Sequence, residues 1–447
     1  MPPSDAAEFD AWIANQARHS AAAMARAISA TGLVRERAAF GQRVVPAPGS
    51  VLASPVFADW DPEPDYFFHW IRDSAIVMRS VTLLMRAAAT TAERRRWEQH
   101  FADFVSFSLT LCTPNEATPL AASRHRPTTR RGYRKFLRPD GELRQLTGDR
   151  LLGEPRFNAD GSVDFLRWSR PQYDGPALRA LACLDFLAAG GNASRELTRL
   201  LETDLRFTLD HADAPCIGPW EEPDENTHHY SVAVVQLGAV VYGRSWAGGG
   251  ASWVAPTEWE AAEARLRAGL ARHWVEEAGV YAALRDAASH AADDLVDAAQ
   301  LLAVLDADLP DGPHSVRDPR VHATQVAIER LFAREFPINH DLPPERAPAL
   351  GRSRRDRYFG GGAWYPTTLA AAALCYRLAL CPEQDRTEQL RRGDAFMRTV
   401  RALVPPDGSL SEQVDRTTGQ PTSARHLTWS YAAFVAAAWL RNEASQG

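Results

Sequence analysis

A short acidic stretch near the middle of the chain carries the residues best suited to chemistry. Trp220 is followed directly by Glu221 and Glu222, and Asp224 and Glu225 come after one proline. Helical patterns flank the stretch, so we expect it to lie on a loop, where catalytic and binding residues concentrate. A tryptophan beside a carboxyl group offers a flat face to a sugar ring and keeps water from the acid. Taken alone, such a stretch is more often a solvated run of acids beside a core tryptophan.

A second cluster comes earlier in the chain, where aromatic and charged residues precede a helical pattern. Tyr66 and Trp70 stand beside an arginine and an aspartate, Arg72 and Asp73. An Arg–Asp pair next to aromatic rings could hold the hydroxyl groups of a sugar. The simpler alternative is that Asp73 only caps the helix that follows.

Three further loops combine aromatic and charged residues in the same way. One begins at Trp168 and leads into a helix, and another carries Arg352 within a run of arginines and ends at Trp364. An arginine run on its own is more typical of a surface patch or a phosphate site. The last loop places a single carboxylate, Glu412, after a Pro-Asp-Gly turn and before the final helix, which includes Trp429.

About twelve helical patterns must position these loops. Alanine and leucine dominate them, with apolar residues at i, i+3 and i+4 spacing, and strand patterns are short and scarce. A dozen helices of similar length fit two concentric rings of six, an all-α (α/α)6 barrel in one domain of residues 1–447; a plain bundle or an α-solenoid remains open. The predicted helices are 6–31, 72–90, 94–112, 174–190, 193–213, 228–244, 256–275, 292–306, 318–335, 361–380, 384–404 and 426–442.

Residues 113–150 interrupt the helical pattern. The segment contains Lys135, and a Pro-Asp-Gly sequence at 139–141 predicts a hairpin turn between strands at 133–137 and 142–146. We interpret the segment as an inserted arm, with a flexible surface loop as an equal alternative. Such an arm could reach across the mouth of a pocket or join two copies of the chain into a homo-oligomer.

Composition argues against several classes of function. The net charge of −6 argues against nucleic acid or acidic lipid as the main partner. Lys135 is the only lysine, so the chain has no P-loop Gly-Lys-Ser/Thr motif. The five cysteines show no metal-ligand spacing, and we expect neither a metal nor another cofactor. The sequence shows no signal peptide and no uncharged apolar run of about 18 residues, which favours a cytoplasmic protein without a membrane span.

Taken in chain order, these clusters resemble glycoside hydrolase family 15, the glucoamylase family. The resemblance implies an (α/α)6 barrel and an exo-acting enzyme that releases β-D-glucose from the non-reducing ends of α-gluco-oligosaccharides with inversion. The arm and most of residues 245–350 show no motif of this family. The matching segments are 10–13, 51–55, 66–74, 170–180, 220–222, 351–352, Tyr358, Trp364, 411–413, 423–425 and 427–432.

The resemblance also implies roles for individual residues. Glu221 would be the general acid and Glu412 the general base, with Glu222 as a substrate ligand. An inverting hydrolase needs its two carboxyl groups about 6.5–9.5 Å apart, so the fold must bring these loops together. Glu412 must stay ionised near neutral pH, and we expect nearby arginines to assist. The remaining substrate-binding residues would be Tyr66, Trp70, Arg72, Asp73, Trp168, Trp220, Arg352, Trp364 and Trp429.

Some positions depart from the family pattern and leave the linkage open. His69, the Asp224–Glu225 segment and Arg355 differ from the residues common in relatives, and the last two neighbour the acceptor side. We therefore favour α-1,4 linkages, with α-1,6 linkages or trehalose as the alternative and a non-catalytic sugar-binding barrel as a more distant one. The sequence shows no starch-binding module and no N-terminal β-sandwich, which favours short soluble oligosaccharides as substrates.

Overall fold

Twelve helices of 9 to 23 residues dominate the part of the chain that the structure describes. The structure, a computed structural model, describes residues 5–60, 62–112, 124–223, 226–248, 253–287 and 291–446. Within these ranges each of the twelve predicted helices is present, with ends shifted by a few residues in most cases. They are α1 (Asp5–Ala27), α2 (Ile71–Ala87), α3 (Thr91–Cys112), α4 (Asp174–Ala188), α5 (Arg195–Asp210), α6 (Tyr230–Ala247), α7 (Pro256–Ala271), α8 (Ala299–Ala307), α9 (Pro319–Glu335), α10 (Tyr365–Ala379), α11 (Arg386–Leu403) and α12 (Thr428–Gln446).

The even-numbered helices form a closed inner ring. Helix α2 packs on α4, α4 on α6, α6 on α8, α8 on α10, α10 on α12, and α12 returns to α2. Helices α1, α3, α5, α7 and α11 pack outside this ring, each against an inner helix. This arrangement confirms the (α/α)6 barrel and excludes the solenoid, whose ends would not meet.

Residue patterns explain which helices lie inside. Every residue of inner helix α10 except Arg377 is buried, as expected for a helix that is apolar on all sides. Outer helix α5 instead buries one stripe that includes Leu197, Leu201 and Leu205, and its N-terminus is capped by the Ser194 side chain, which accepts from the Leu197 N–H. Across the described ranges, no helix combines the length and apolarity that a membrane crossing requires.

Short antiparallel strands and short helices connect the barrel helices. Strand β1 pairs with β2, β3 with β4, β5 with β6, and β8 lies between β7 and β9. The strands are β1 (Arg35–Arg37), β2 (Gln42–Val44), β3 (Phe68–Trp70), β4 (Arg156–Asn158), β5 (Trp274–Val275), β6 (Val280–Tyr281), β7 (Ala363–Trp364), β8 (Gln413–Val414) and β9 (Pro421–Thr422). The short helices are His125–Thr128, Arg131–Phe136, Asp140–Arg144, Asp149–Leu152, Ala292–Leu295, Pro337–Asn339 and Tyr358–Gly360.

The predicted hairpin in the arm is wrong. Residues 131–136 form a 3₁₀-helix, and Asp140–Arg144 is a short α-helix that begins directly after Pro139. Turn residues such as Pro and Asp also begin helices, and here a helical turn places Leu143 in a second hydrophobic core with Phe107 and Phe165. The beginning of the arm, residues 113–123, lies outside the described residues.

Candidate active site

The inner helices begin at one end of the barrel, and two small sheets fix the loops that precede them. Strand β3 ends at Trp70, so Arg72 and Asp73 lie in the first turn of α2. In the β7–β8 pair, Trp364 of β7 lies opposite Gln413 of β8. Glu412 is the residue directly before Gln413. These ladders bring segments that are far apart in sequence to the same end of the barrel.

Glu221 is surrounded by N–H donors. Its Oε1 accepts from the Arg72 guanidinium at 2.9 Å, and its Oε2 accepts from the indole N–H of Trp70 at 3.1 Å and from the indole N–H of Trp168. The backbone of Glu221 has a φ of 59°, a left-handed conformation that is uncommon outside glycine. Such conformations concentrate at functional sites, where the surrounding structure must hold them.

Glu412 is held by hydroxyl groups instead. The Tyr66 hydroxyl donates to its Oε1 at 3.1 Å, and the Ser423 hydroxyl donates to its Oε2. Burial raises the pKa of Glu412 to about 7, although Ser423, Arg352 and Tyr66 act in the opposite direction. The sequence-based expectation that arginines keep Glu412 ionised is therefore only partly met, because desolvation outweighs them.

One small cavity contains both carboxyl groups. Its volume is about 60 Å³, below the roughly 300–1,000 Å³ of ordinary ligand pockets, so side chains at its mouth must move to admit a sugar ring. The cavity is lined by Tyr66, Trp70, Arg72, Asp73, Trp168, Pro219, Trp220, Glu221, Arg352, Tyr358, Trp364, Glu412, Leu427 and Trp429. The structure thus brings together every residue predicted for the site except Glu222.

Arg72 connects Glu221 to two further carboxyl groups. Its guanidinium lies 3.3 Å from Asp73 and 3.7 Å from Asp174. Burial raises the pKa of both aspartates to about 6, while the arginine lowers it. In the sequence Asp174 stands only as the first residue of a predicted helix, but its side chain belongs to this charged network.

Three tryptophans form another part of the cavity wall, and the Arg72 guanidinium lies 5.6 Å from the ring of one of them, Trp429. The rings of Trp220 and Trp429 are stacked, with centroids 6.4 Å apart, and Trp220 also contacts Trp364 at 5.2 Å. The indole N–H of Trp220 lies 2.8 Å from each carboxylate oxygen of Asp297. Burial raises the pKa of Asp297 to about 7. Sequence reasoning missed Asp297 because it lies in 245–350, where no family motif was recognised.

Glu222 lies outside the small cavity. It is exposed and lines a neighbouring cavity of about 380 Å³ together with Asp297, Arg354 and Arg355. Two other acids of the opening stretch, Asp224 and Glu225, lie outside the described residues. The acidic stretch therefore divides, with Glu221 directed into the site and Glu222 toward the adjoining cavity.

Three residues of the site were not predicted: Ser423, which contacts Glu412, Tyr358, which contacts Tyr66, and Arg156, which lies against two tryptophans. Ser423 and Tyr358 stood within the family motifs, which was a usable signal, and the Tyr358 hydroxyl lies 2.7 Å from that of Tyr66. Arg156 gave no signal at all. It is almost fully buried, and its guanidinium lies 4.9 Å from the Trp70 ring and 3.8 Å from the Trp168 ring.

The described residues give no sign of a metal centre at this end of the barrel. No group of three or more His, Cys, Asp or Glu side chains among them could hold a metal ion. The charged groups of the site are paired with one another instead, as with Arg352, whose Nε donates to Asp356 at 2.8 Å. The arrangement suits acid–base chemistry by two carboxyl groups in a cavity walled by tryptophans.

Comparison with known proteins identifies close parallels for the whole chain. The family model described as "Glycosyl hydrolases family 15" matches residues 27–117 and 125–439. A glucoamylase of Blastobotrys adeninivorans is 24% identical over 89% of this chain and 68% of its own length. Glucoamylase 1 of Rhizopus oryzae is also 24% identical, over 98% of this chain and 72% of its own. The glucoamylase structure from Saccharomycopsis fibuligera superposes with a TM-score of 0.76 at 21% identity, covering 98% of this chain and 96% of that one.

Proposed function

The chain belongs to glycosyl hydrolases family 15, and we propose that it cleaves α-1,4-glucosidic bonds at non-reducing ends with inversion. It is a glycoside hydrolase, and its family acts from chain ends on α-glucans and releases glucose. The observation that carries the finer proposal is the pair of buried carboxyl groups, Glu221 and Glu412, in one small cavity. A non-catalytic sugar-binding barrel would need neither group.

In the proposed mechanism the two carboxyl groups have opposite tasks. Glu221, in its protonated form, donates a proton to the glycosidic oxygen as the bond to the anomeric carbon breaks. Glu412, ionised, takes a proton from a water molecule that attacks the anomeric carbon from the other face. The product is β-D-glucose, and both carboxyl groups must then exchange protons with solvent before the next cycle.

Sugar binding would prepare Glu221 for this role. In the sugar-free site Glu221 is paired with Arg72 at 2.9 Å. Sugar hydroxyls that take up the N–H donors of Arg72 would release Glu221 from this ion pair. Asp73, next to Arg72, would accept from the same hydroxyls.

The remaining cavity residues would hold the terminal glucose. The stacked Trp220 and Trp429 rings offer flat apolar faces, and the Tyr66–Trp70 pair forms a second aromatic surface with ring centroids 5.0 Å apart. Aromatic faces pack well against the C–H groups of a pyranose ring.

The proposal is tested by glucose release from maltose with Glu221→Gln and Glu412→Gln. Each variant keeps the shape of the side chain but cannot exchange a proton, and we expect each to lose about 100-fold to 10,000-fold in kcat. The exposed Glu260→Gln variant serves as the matched control. Nuclear magnetic resonance of the first-formed glucose should show the β anomer. Wild-type activity in both variants, or an α product, would contradict the proposed roles.

The linkage preference needs a separate experiment. Arg354 and Arg355 line the cavity that adjoins the catalytic loop, on the side where the leaving sugar would lie. Because this region differs from the common family pattern, α-1,6-glucosides or trehalose are the second candidates. Comparing kcat/KM for maltose, isomaltose, nigerose and trehalose decides between them, and a preference for isomaltose or trehalose would overturn the α-1,4 assignment.

A further inference from the structure

A second, larger cavity lies along the barrel axis on the other side of Trp429. Its volume is about 600 Å³, within the usual range for small-molecule sites. Residues of α2, α4, α8, α10 and α12 line it, and Trp429 is the residue that it shares with the catalytic cavity. It extends along α12 from Trp429 to Glu443, about 21 Å at the rise of an α-helix.

Two features of the sequence leave this space open. Helix α8 has only 9 residues, about 14 Å, whereas α2 has 17 residues, about 26 Å. The inner ring is therefore incomplete at the C-terminal ends of its helices. In addition, α10 and α12 present alanines to the axis, including Ala370, Ala373 and Ala433, whose side chains are too short to fill it.

Charged residues line one part of this cavity. Arg79 donates to Asp185 at 2.7 Å and to Asp306 at 3.1 Å, and Arg377 donates to Asp308. Three carboxylates thus face two guanidinium groups. A separate ion pair in the same cavity, Arg86 and Glu443 at 3.6 Å, has one charge of each sign. The cavity therefore keeps an excess of one negative charge.

We infer that the axial cavity binds a small organic cation, a primary ammonium on an apolar aromatic or aliphatic body. The body would lie among the alanines and leucines below Trp429. The ammonium would lie beside Asp306, Asp308 and Asp185, which supply one negative charge more than Arg79 and Arg377 neutralise. Burial of the apolar body supplies affinity and the excess carboxylate supplies charge selectivity.

Calorimetric titration of the full chain at pH 7.5 tests this site with three matched probes. The probes are 4-phenylbutylammonium, 4-phenylbutanol and 4-phenylbutyrate, which share one body and differ in charge. We expect one ammonium ion per chain and about tenfold weaker binding of the alcohol, with the carboxylate weaker still. Equal binding of all three probes, or no binding at millimolar concentration, would overturn the inference.

Variants locate the bound probe. Ala433→Leu fills the interior and should abolish binding, whereas Ala102→Leu on the outer helix α3 should not. Asp308→Asn removes the excess carboxylate and tolerates the left-handed backbone there (φ 42°). It should weaken the ammonium about tenfold but not the alcohol, with the exposed Asp311→Asn as control.

The catalytic cavity also offers carboxyl groups and aromatic rings, so the probe must be shown to lie elsewhere. Glu412→Gln should leave binding of the ammonium unchanged if the probe occupies the axial cavity. Binding that is lost in Glu412→Gln and retained in Ala433→Leu would assign the probe to the catalytic cavity and refute the axial site. Because the readout is binding, the result is independent of the proposed hydrolase activity.

Discussion

The two walls of the catalytic cavity hold their carboxyl groups with different chemistry. On one wall Glu221 receives only N–H groups, from Arg72, Trp70 and Trp168. On the other wall Glu412 receives hydroxyl groups, from Tyr66 and Ser423. A guanidinium or indole N–H can only donate a hydrogen bond, whereas a hydroxyl group can donate or accept.

This difference decides how each carboxyl group can gain a proton. A proton on Glu412 can be shared with a hydroxyl oxygen while the contact is kept, and burial raises the pKa of Glu412 to about 7 although both hydroxyl groups lower it. A proton on Glu221 would face an N–H group, so one donor must first move away. The comparison indicates that Glu412 can gain or lose a proton while it keeps its hydroxyl partners, whereas Glu221 must first lose one of its N–H partners.

The largest difference in kcat is expected when Glu221→Gln and Glu412→Gln are given a substrate with a better leaving group. α-Glucosyl fluoride needs little protonation of its leaving group, so it should restore most of the activity of Glu221→Gln. It should not restore Glu412→Gln, which still lacks a base for the attacking water. A difference of about 100-fold or more between the variants is expected in kcat. If α-glucosyl fluoride restored Glu412→Gln instead, the acid and base roles proposed for Glu221 and Glu412 would have to be exchanged.

A smaller effect is expected from Arg156, which supports only the Glu221 wall. Arg156→Lys keeps the charge that pairs with Asp164, at 2.8 Å, but loses the planar contact with both tryptophans. Slight misplacement of Trp70 and Trp168 should lower kcat on maltose about 10-fold to 100-fold, with less loss on α-glucosyl fluoride. The exposed Arg144→Lys is the control. An equal loss on both substrates would mean that Arg156 does not act through Glu221.

The Glu412 wall predicts a pH effect. Because Glu412 must be ionised to act as base, kcat/KM should fall as the pH drops below about 7. The Ser423 hydroxyl favours the ionised form, so Ser423→Ala should raise the pKa of Glu412 and move this acidic limb to higher pH, by about one unit or less. The exposed Ser106→Ala should leave the profile unchanged. An unchanged pH profile in Ser423→Ala would show that the Ser423 hydroxyl does not influence the pKa of Glu412.

The smallest effect concerns stability, to which buried carboxyl groups of both walls contribute. Burial raises the pKa values of Asp73 and Asp174 to about 6 and those of Asp297 and Glu412 to about 7. A raised pKa in the folded state gives stability that is present below the unfolded pKa, about 4, and lost as the pH rises through 6 to 7.

Thermal unfolding should therefore occur at a lower temperature at pH 8 than at pH 5, by a few degrees. Asp297→Asn should reduce this difference, because the amide cannot ionise, whereas the exposed Asp311→Asn should not. A Tm that rises between pH 5 and pH 8 would show that other groups dominate the balance.

Part of this site could be predicted because its residues occur in continuous motifs. Tyr66, Arg72, Glu221 and Glu412 each stand in a short recognisable stretch, and the cavity contains all four. Asp297 and Arg156 could not be predicted in this way, because each acts through a contact with an aromatic ring or an indole N–H from another segment. Nothing in their own neighbourhood in the sequence indicates that contact.

The arm shows the limit of local signals. A Pro-Asp-Gly sequence fits a hairpin turn and a helix start equally well, and the burial of Leu143 against Phe107 and Phe165 selects the helix. Phe107 belongs to α3, which precedes the arm in the chain. Only a contact of this kind, made after folding, distinguishes the two local structures.

The sequence by itself predicted the twelve helices, because helical periodicity is a property of neighbouring residues, and the resemblance of its ordered motifs to a family implied the barrel and the two carboxyl groups. The tertiary structure decided what surrounds each carboxyl group. Glu221 meets Trp70 from a segment 151 residues away, and Glu412 meets Tyr66 from one 346 residues away. Desolvation and the choice between N–H and hydroxyl partners depend on these distant contacts, and burial by them raises the pKa of Glu412 to about 7.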